Sequence, residues 1–176
     1  MAFQKLSKEK LFEVMKTLAY AFNKAWLKSE RLAIQKCGLD AFLGKEFNEV
    51  FQEFGSIQSK KLKELSIVSG TDVDSIINAL RLSQWALFED INLTKLSDGT
   101  VRMRTMGCSL QRYARKKWGT DYPCKNLDFS LEGRRGFVKA INPRAEVECS
   151  FCPPDPRPEN IRANISCEWI ISIPKE

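Results

Sequence analysis

The chain has 176 residues, 43% hydrophobic and 28% charged, with a formal net charge of +6. That length supports one sizeable core, and the composition is that of a globular rather than a disordered chain. No apolar run reaches the roughly 20 residues needed to span a bilayer, and histidine is absent. No imidazole can therefore ligate zinc or serve as the base of a catalytic triad. The opening Met1 to Lys10 lacks the continuous apolar stretch of a secretory signal, which places the protein in the cytoplasm. In that reducing compartment, six cysteines call for metal binding, catalysis or burial rather than a disulfide framework.

Residues 1–90 read as helical. Leu11, Met15, Leu18, Phe22, Ala25, Trp26, Ala33 and Ile34 recur at helical spacing, with Ser7 as N-cap and Gly38 as stop. Asp40 is placed to cap a second long helix through Leu43, Phe47, Val50, Phe51, Phe54, Leu62 and Leu65, which Gly55 bends or interrupts. Thr71 opens a third helix carrying Ile76, Ile77, Leu80, Trp85 and Leu87. Phe12, Phe22, Phe47, Phe51 and Phe54 read as core residues.

Chain character changes near Glu89. Ile91 and Leu93 precede Ser97-Asp98-Gly99, and Val101 and Met103 follow. A three-residue loop, Ser97 to Gly99, puts Ile91, Leu93, Val101 and Met103 on one face with Gly99 in the left-handed position. Arg102 and Arg104 then share the wetter face. Ser109 to Trp118 reads as a basic helix stopped by Gly119. Leu127 to Ile141 holds another helix, a reading weakened by Gly133 and Gly136. Glu146 to Phe151 and Ile161 to Ile173 are strands separated by a proline-rich connector. In the last strand Ile165, Cys167, Trp169, Ile171 and Ile173 share a face, so Cys167 points inward. The whole is a single α+β domain over 1–176. Its helical portion, 1–90, packs with a cysteine-rich portion of mixed helix and antiparallel sheet, 91–176.

Five of the six cysteines, Cys108, Cys124, Cys149, Cys152 and Cys167, fall in the last 69 residues. The pair Cys149-Ser150-Phe151-Cys152 can turn two sulfurs toward one centre, and Cys167, Cys124 and Cys108 could complete a four-thiolate site. Zinc is the preferred ion, an iron–sulfur cluster the alternative, and unligated structural cysteines the third reading. Cys37, alone, reads as a buried helix-end residue. Catalysis by Cys108, Cys124 or Cys167 would need a helix terminus, an arginine or an acidic base in place of histidine. Cys108 precedes the Ser109 helix, whose Arg112 and Arg115 could lower its thiol pKa. Asp121 and Glu168 are candidate proton-transfer groups.

Residues 101–144 hold eleven Lys and Arg against three acids. Such a field suits a small anionic ligand, with Arg102, Arg112 and Arg115 as the binding groups. The run Gln111 to Trp118 permits a nucleic-acid reading in which Tyr113 or Trp118 stacks on a base, but no RNP motif, KH loop or tandem zinc finger accompanies it, and nucleic acid is disfavoured. The N-terminal helices serve either as a homodimer surface or to complete a monomer's core.

The segments Arg104-Thr105-Met106-Gly107-Cys108, Tyr122-Pro123-Cys124-Lys125, Asn142-Pro143-Arg144, Cys149 to Asp155 and Cys167-Glu168-Trp169, with Leu80 to Trp85, resemble a family of uncharacterised bacterial and archaeal cytosolic proteins. A more distant similarity is to L-2-amino-thiazoline-4-carboxylic acid hydrolases and 4-vinyl reductase domains, whose cysteine plan Cys108, Cys124 and Cys167 match. The Cys149/Cys152 pair and its prolines depart from the hydrolase pattern. From the residues, a cysteine-ligated metal or small-ligand binding protein, with a sensor or accessory role, is expected. A small hydrolase of sulfur-containing or carboxylate-bearing substrates, with Cys108 and Cys124 catalytic, is the alternative that the resemblance implies.

Overall fold

A computed structural model describes residues 7–38, 45–122, 124 and 129–174. Its contacts divide the chain into two compact units, residues 1–42 and 43–176. The first unit holds helix α1, Lys8–Cys37, whose N-cap Ser7 accepts a hydrogen bond from the Lys10 amide and whose end falls at Gly38, with φ of 82°. Both ends lie where Ser and Gly place them. The core assignment of Phe12 and Phe22 fails: they are 50% and 62% exposed, on a face shared with Met15 and Leu18. Asp40 and Leu43 lie outside the described residues.

The second unit contains α2 (Lys45–Glu64), α3 (Val73–Arg81), α4 (Gln84–Phe88), β1 (Ile91–Lys95), β2 (Val101–Thr105), α5 (Ser109–Trp118), α6 (Phe129–Ile141), β3 (Glu146–Phe151) and β4 (Cys167–Ser172). The α+β class and the antiparallel sheet are as the sequence implies. Strand order is β1-β2-β4-β3, antiparallel throughout. The β1–β2 register pairs Leu93 with Met103 and Ile91 with Thr105. The expected three-residue loop closes it, with Gly99 at φ 85° and the Leu96 amide donating to the Thr100 carbonyl at 2.8 Å. Val101, Met103 and Thr105 face the core and their neighbours do not, which is the period-2 alternation of a half-covered sheet.

The helix expected within Leu127 to Ile141 forms as α6 despite Gly133 and Gly136, and α2 runs through Gly55 as one helix. These residues sit where the two helices cross. A Cβ on Gly55 would stand 2.8 Å from the Phe137 nitrogen and closer still to the Gly133 carbonyl oxygen; one on Gly136 would stand 2.6 Å from the Gln52 carbonyl carbon and closer still to its oxygen. The backbones approach so closely that only hydrogen fits, and this contact outweighs the poor helix propensity of glycine. The Ser59 hydroxyl, fully buried, spans the crossing to the Phe137 carbonyl at 2.6 Å. A smaller correction concerns α3, which is capped by Asp72 rather than Thr71, its carboxylate accepting from the Ser75 amide at 2.8 Å.

The crossing sets the orientation of α6. Arg134, Phe137, Val138 and Ile141 recur at i, i+3, i+4 and i+7, and all four are buried. This face carries an arginine into the interior beneath the sheet, where the cysteines of β4 and its neighbours also arrive.

Candidate functional site

β4 supplies the centre of the site. Cys167 and Trp169 alternate inward with Ile171, and the Trp169 indole N–H donates to the Cys167 sulfur at 3.2 Å. Directly across the ladder, Thr105 ends β2 opposite Cys167 and adds a side-chain hydrogen bond to the thiol. The same hydroxyl donates to Glu89 Oε2 at 3.1 Å. Arg134 lies between two tryptophan rings, its guanidinium 4.8 Å from the Trp85 centroid and 4.4 Å from that of Trp169. Its Nη2 is 4.0 Å from Glu89 Oε2. Stacking on two aromatic faces offsets part of the cost of burying this cation, and the carboxylate balances its charge.

The remaining thiols approach from three further segments. Cys108 follows the β2 end and caps α5: its sulfur accepts the Gln111 amide at 3.4 Å, and its S–H points to Glu89 Oε1 at 3.6 Å. Cys124 lies in the turn after α5, held by Gln111. That side chain exchanges two hydrogen bonds with the Tyr122 backbone, at 2.7 and 2.9 Å, and donates to the Cys124 sulfur at 3.2 Å. Cys152 follows the β3 bulge and is within hydrogen-bonding reach of Cys124, Cys149 and Cys167. Cys149, opposite Trp169 in the ladder, is half-exposed, whereas Cys108, Cys124, Cys152 and Cys167 are buried.

These contacts divide the thiols electrostatically. The Cys152 hydrogen bond pulls the Cys167 thiol down to about 7 from an ordinary 9.0, with Arg134 and Thr105 acting in the same sense against burial and Glu89. Cys152 moves strongly upward because its hydrogen bonds to Cys124, Cys149 and Cys167 favour the protonated form. Cys108 also moves upward, first through burial and then through the charge of Glu89. The start of α5 was expected to lower the Cys108 pKa; one amide hydrogen bond is outweighed by desolvation and a facing carboxylate.

The sulfurs thus meet, but they do not form the metal centre expected from their spacing. Among the described residues no group of three or more His, Cys, Asp or Glu could hold a metal ion. This finding overturns the zinc and iron–sulfur readings for Cys108, Cys124, Cys149, Cys152 and Cys167, and with them the cysteine-ligated metal or small-ligand function. The physical reason lies in how the sulfurs are engaged. Cys108 caps a helix and faces Glu89, Cys124 is a hydrogen-bond acceptor for Gln111, and Cys167 accepts an indole N–H, so each sulfur is held by its own protein partners rather than aimed at one common centre.

Arg112 donates to the Gly107 carbonyl at 3.0 Å, and Arg115 pairs with Asp121 at 2.5 Å. Arg102 belongs to the sheet face opposite the inward Val101 and Met103. Glu168 pairs with Arg104 at 2.5 Å. Tyr113 and Trp118 pack edge to face, 6.2 Å apart. Cys37 is exposed rather than buried.

Sequence reasoning missed Arg134, Glu89, Thr105 and Gln111. Arg134 did carry a signal, since an arginine at an apolar-face position shared with Phe137, Val138 and Ile141 is a buried charge. A polar cleft of about 600 Å³, lined by Gln52, Glu132, Arg135, Lys139 and Glu146 among others, lies apart from the thiols. No described helix is long and apolar enough to cross a membrane.

The fold and site define an α+β protein whose interior joins a tryptophan-clamped arginine, a carboxylate and a cluster of thiols. Residues 4–173 match DUF6125, a family of unknown function, and the chain belongs to that family. No curated protein and no solved structure matches it.

Proposed function

We propose that the protein is a thiol redox protein in which Cys167 is the reacting sulfur and Cys152 closes a reversible disulfide with it. The observation that carries this reading is that Cys152 and Cys167 are buried neighbours, each acting on the protonation of the other, inside a cradle that favours negative charge on Cys167. Trp169 Nε1 donates to Cys167, Thr105 lies directly across the ladder from it, and Arg134 supplies the nearby positive charge. Such surroundings are those of a nucleophilic thiolate.

A hydroperoxide is the electron acceptor that balances the chemistry. The Cys167 thiolate attacks one peroxide oxygen, the O–O bond breaks, and the departing alkoxide takes a proton to leave as the alcohol, or water when the acceptor is hydrogen peroxide. Cys167 is then a sulfenic acid. Cys152 attacks that sulfur, hydroxide leaves with the Cys152 proton as water, and the S–S bond forms. Overall, one peroxide and two thiols yield one alcohol, one water and one disulfide. The buried Cys152 stays protonated until this step, which keeps the two sulfurs from repelling one another as a pair of thiolates.

The test uses full-length protein carrying Cys37→Ser, which removes the exposed thiol of α1. One equivalent of hydrogen peroxide is added to reduced protein, free thiols are alkylated, and the disulfide is mapped by peptide mass. A Cys152–Cys167 bond is expected, with Cys152→Ser leaving Cys167 as a trappable sulfenic acid. Oxidation confined to other cysteines, or no disulfide at all, overturns the proposal.

A further inference from the structure

The redox centre is closed on itself, so its product must be returned to the dithiol by some route. We infer that Cys149 is the exchange thiol through which an external dithiol protein reduces the buried disulfide, an inference that rests on the redox reading above.

Three observations lead to it. Cys149 is partly exposed while the other four C-terminal cysteines are buried, so it is the most accessible sulfur of the cluster to a protein reductant. Cys152 has both Cys149 and Cys167 as sulfur neighbours, whereas the sulfur whose hydrogen bond acts on Cys167 is that of Cys152. Cys152 is therefore the sulfur that links the partly exposed Cys149 to the buried Cys167. In the β3–β4 register Cys149 stands opposite inward-facing Trp169, two residues along β4 from Cys167, and the register shift follows it; Phe151 is buried in a separate cluster with Ile161 and Ile165. The third neighbour of Cys152, Cys124, is buried and held by the Gln111 amide, which leaves it without access to a large reductant.

The direction of exchange follows from the environment of the leaving sulfur. Cys149 gives its proton to solvent and attacks the Cys152 sulfur. The Cys152–Cys167 bond breaks, and Cys167 departs as a thiolate beside Arg134, the stabilised leaving group of the pair. A Cys149–Cys152 disulfide results. One thiolate of the external dithiol then attacks the exposed Cys149 sulfur and releases Cys152, which takes up a proton. The second thiol of the reductant displaces Cys149, and the reductant leaves as its own disulfide. Two electrons pass from dithiol to disulfide with no other reactant.

The experiment follows reduction of the peroxide-oxidised Cys37→Ser protein by reduced thioredoxin, comparing Cys149→Ser and Cys124→Ser on that background. All three are first mapped for the Cys152–Cys167 disulfide, and thermal unfolding confirms that each variant is folded. The expected result is at least a ten-fold slower reduction in Cys149→Ser and an unchanged rate in Cys124→Ser. A second measurement needs no substitution in the cluster: acid quenching during reduction with limiting thioredoxin should capture a transient Cys149–Cys152 disulfide. Equal rates in the Cys149→Ser and parent proteins, with no such intermediate, overturn the relay and leave the redox reading standing. Absence of the Cys152–Cys167 bond in the oxidised parent overturns both.

Discussion

Replacing Gly136 with alanine should cost about 3 kcal/mol of stability, although the same change in an isolated helix would be favourable by up to about 1 kcal/mol. The new Cβ would lie 2.6 Å from the Gln52 carbonyl carbon and 2.7 Å from its Cα. Carbon atoms pack at about 3.5–4.0 Å, so α2 and α6 must part by on the order of 1 Å. Overpacking of this kind costs about 1–3 kcal/mol. Separation also strains the buried Ser59 to Phe137 bond, at 2.6 Å, and stranding such a group adds about 1–3 kcal/mol. Gly133 is an internal control three residues away. Its Cβ would meet Trp85 Cζ2 at 3.6 Å and the Phe51 carbonyl oxygen at 3.7 Å, ordinary contacts, so Gly133→Ala should be neutral or stabilising by up to about 1 kcal/mol. Urea unfolding, followed by tryptophan fluorescence, reads both. Equal stability of the two variants would refute the argument that backbone contact, rather than helix propensity, explains these glycines.

The electrostatics lead to further expectations. Arg134→Met should raise the Cys167 pKa above about 7 and slow its alkylation at neutral pH, measured as a rate-against-pH profile with site-resolved mass spectrometry; an unmoved midpoint would show that Arg134 does not act on the thiol. Stability itself should depend on pH in two opposing ways. A depressed thiol such as Cys167 is bound more weakly to its proton in the fold, so its contribution grows as pH rises from about 7 to 9.0 and is lost as pH falls through about 7. Cys108 and Cys152, whose pKa values are raised, contribute fully below 9.0 and lose that contribution as pH climbs further. Unfolding midpoints across pH 6–11 should therefore pass through a maximum near about 9, and a monotonic rise through that range would contradict the assignment. Gln111→Ala removes three hydrogen bonds to Tyr122 and Cys124 and should cost about 2–3 kcal/mol in urea unfolding; a loss below about 0.5 kcal/mol would mean that the turn does not depend on it.

Local chemistry made much of the fold legible. Ser7 and Gly38 bound α1, Gly119 ends α5 in the left-handed conformation, and the Ser97–Gly99 loop fixes the β1–β2 register. Each of these is decided within a few residues. What the glycines of α2 and α6 are for was not legible, because the reason lies 78 to 84 residues away in a crossing that no local pattern encodes. The cysteines mark the division most clearly. Alternation along β4 correctly turned Cys167 inward, and spacing correctly drew attention to Cys149 and Cys152. Spacing could not report that Gln111, Trp169 and Glu89 hold the sulfurs individually rather than around one centre, and so it favoured a metal.

The charge balance at the centre ties the redox chemistry to the fold. Arg134 and Glu89 form a buried pair of opposite charges, 4.0 Å apart, and with every thiol protonated the interior is neutral. Ionising Cys167 adds a negative charge that this pair alone does not balance, which is why the thiolate depends on hydrogen bonds from Cys152 and Trp169 as well as on the arginine. Forming a disulfide removes that extra charge and returns the interior to the neutral Arg134–Glu89 pair. Burial penalises charge, so the protein environment that makes Cys167 reactive also favours the product in which its charge is gone. Reduction must then restore the thiolate against that penalty, and the contacts that stabilise it are the ones supplied by β2, β4 and α6. The helix crossing at Gly55 and Gly136 holds the arginine that makes both directions of the reaction accessible.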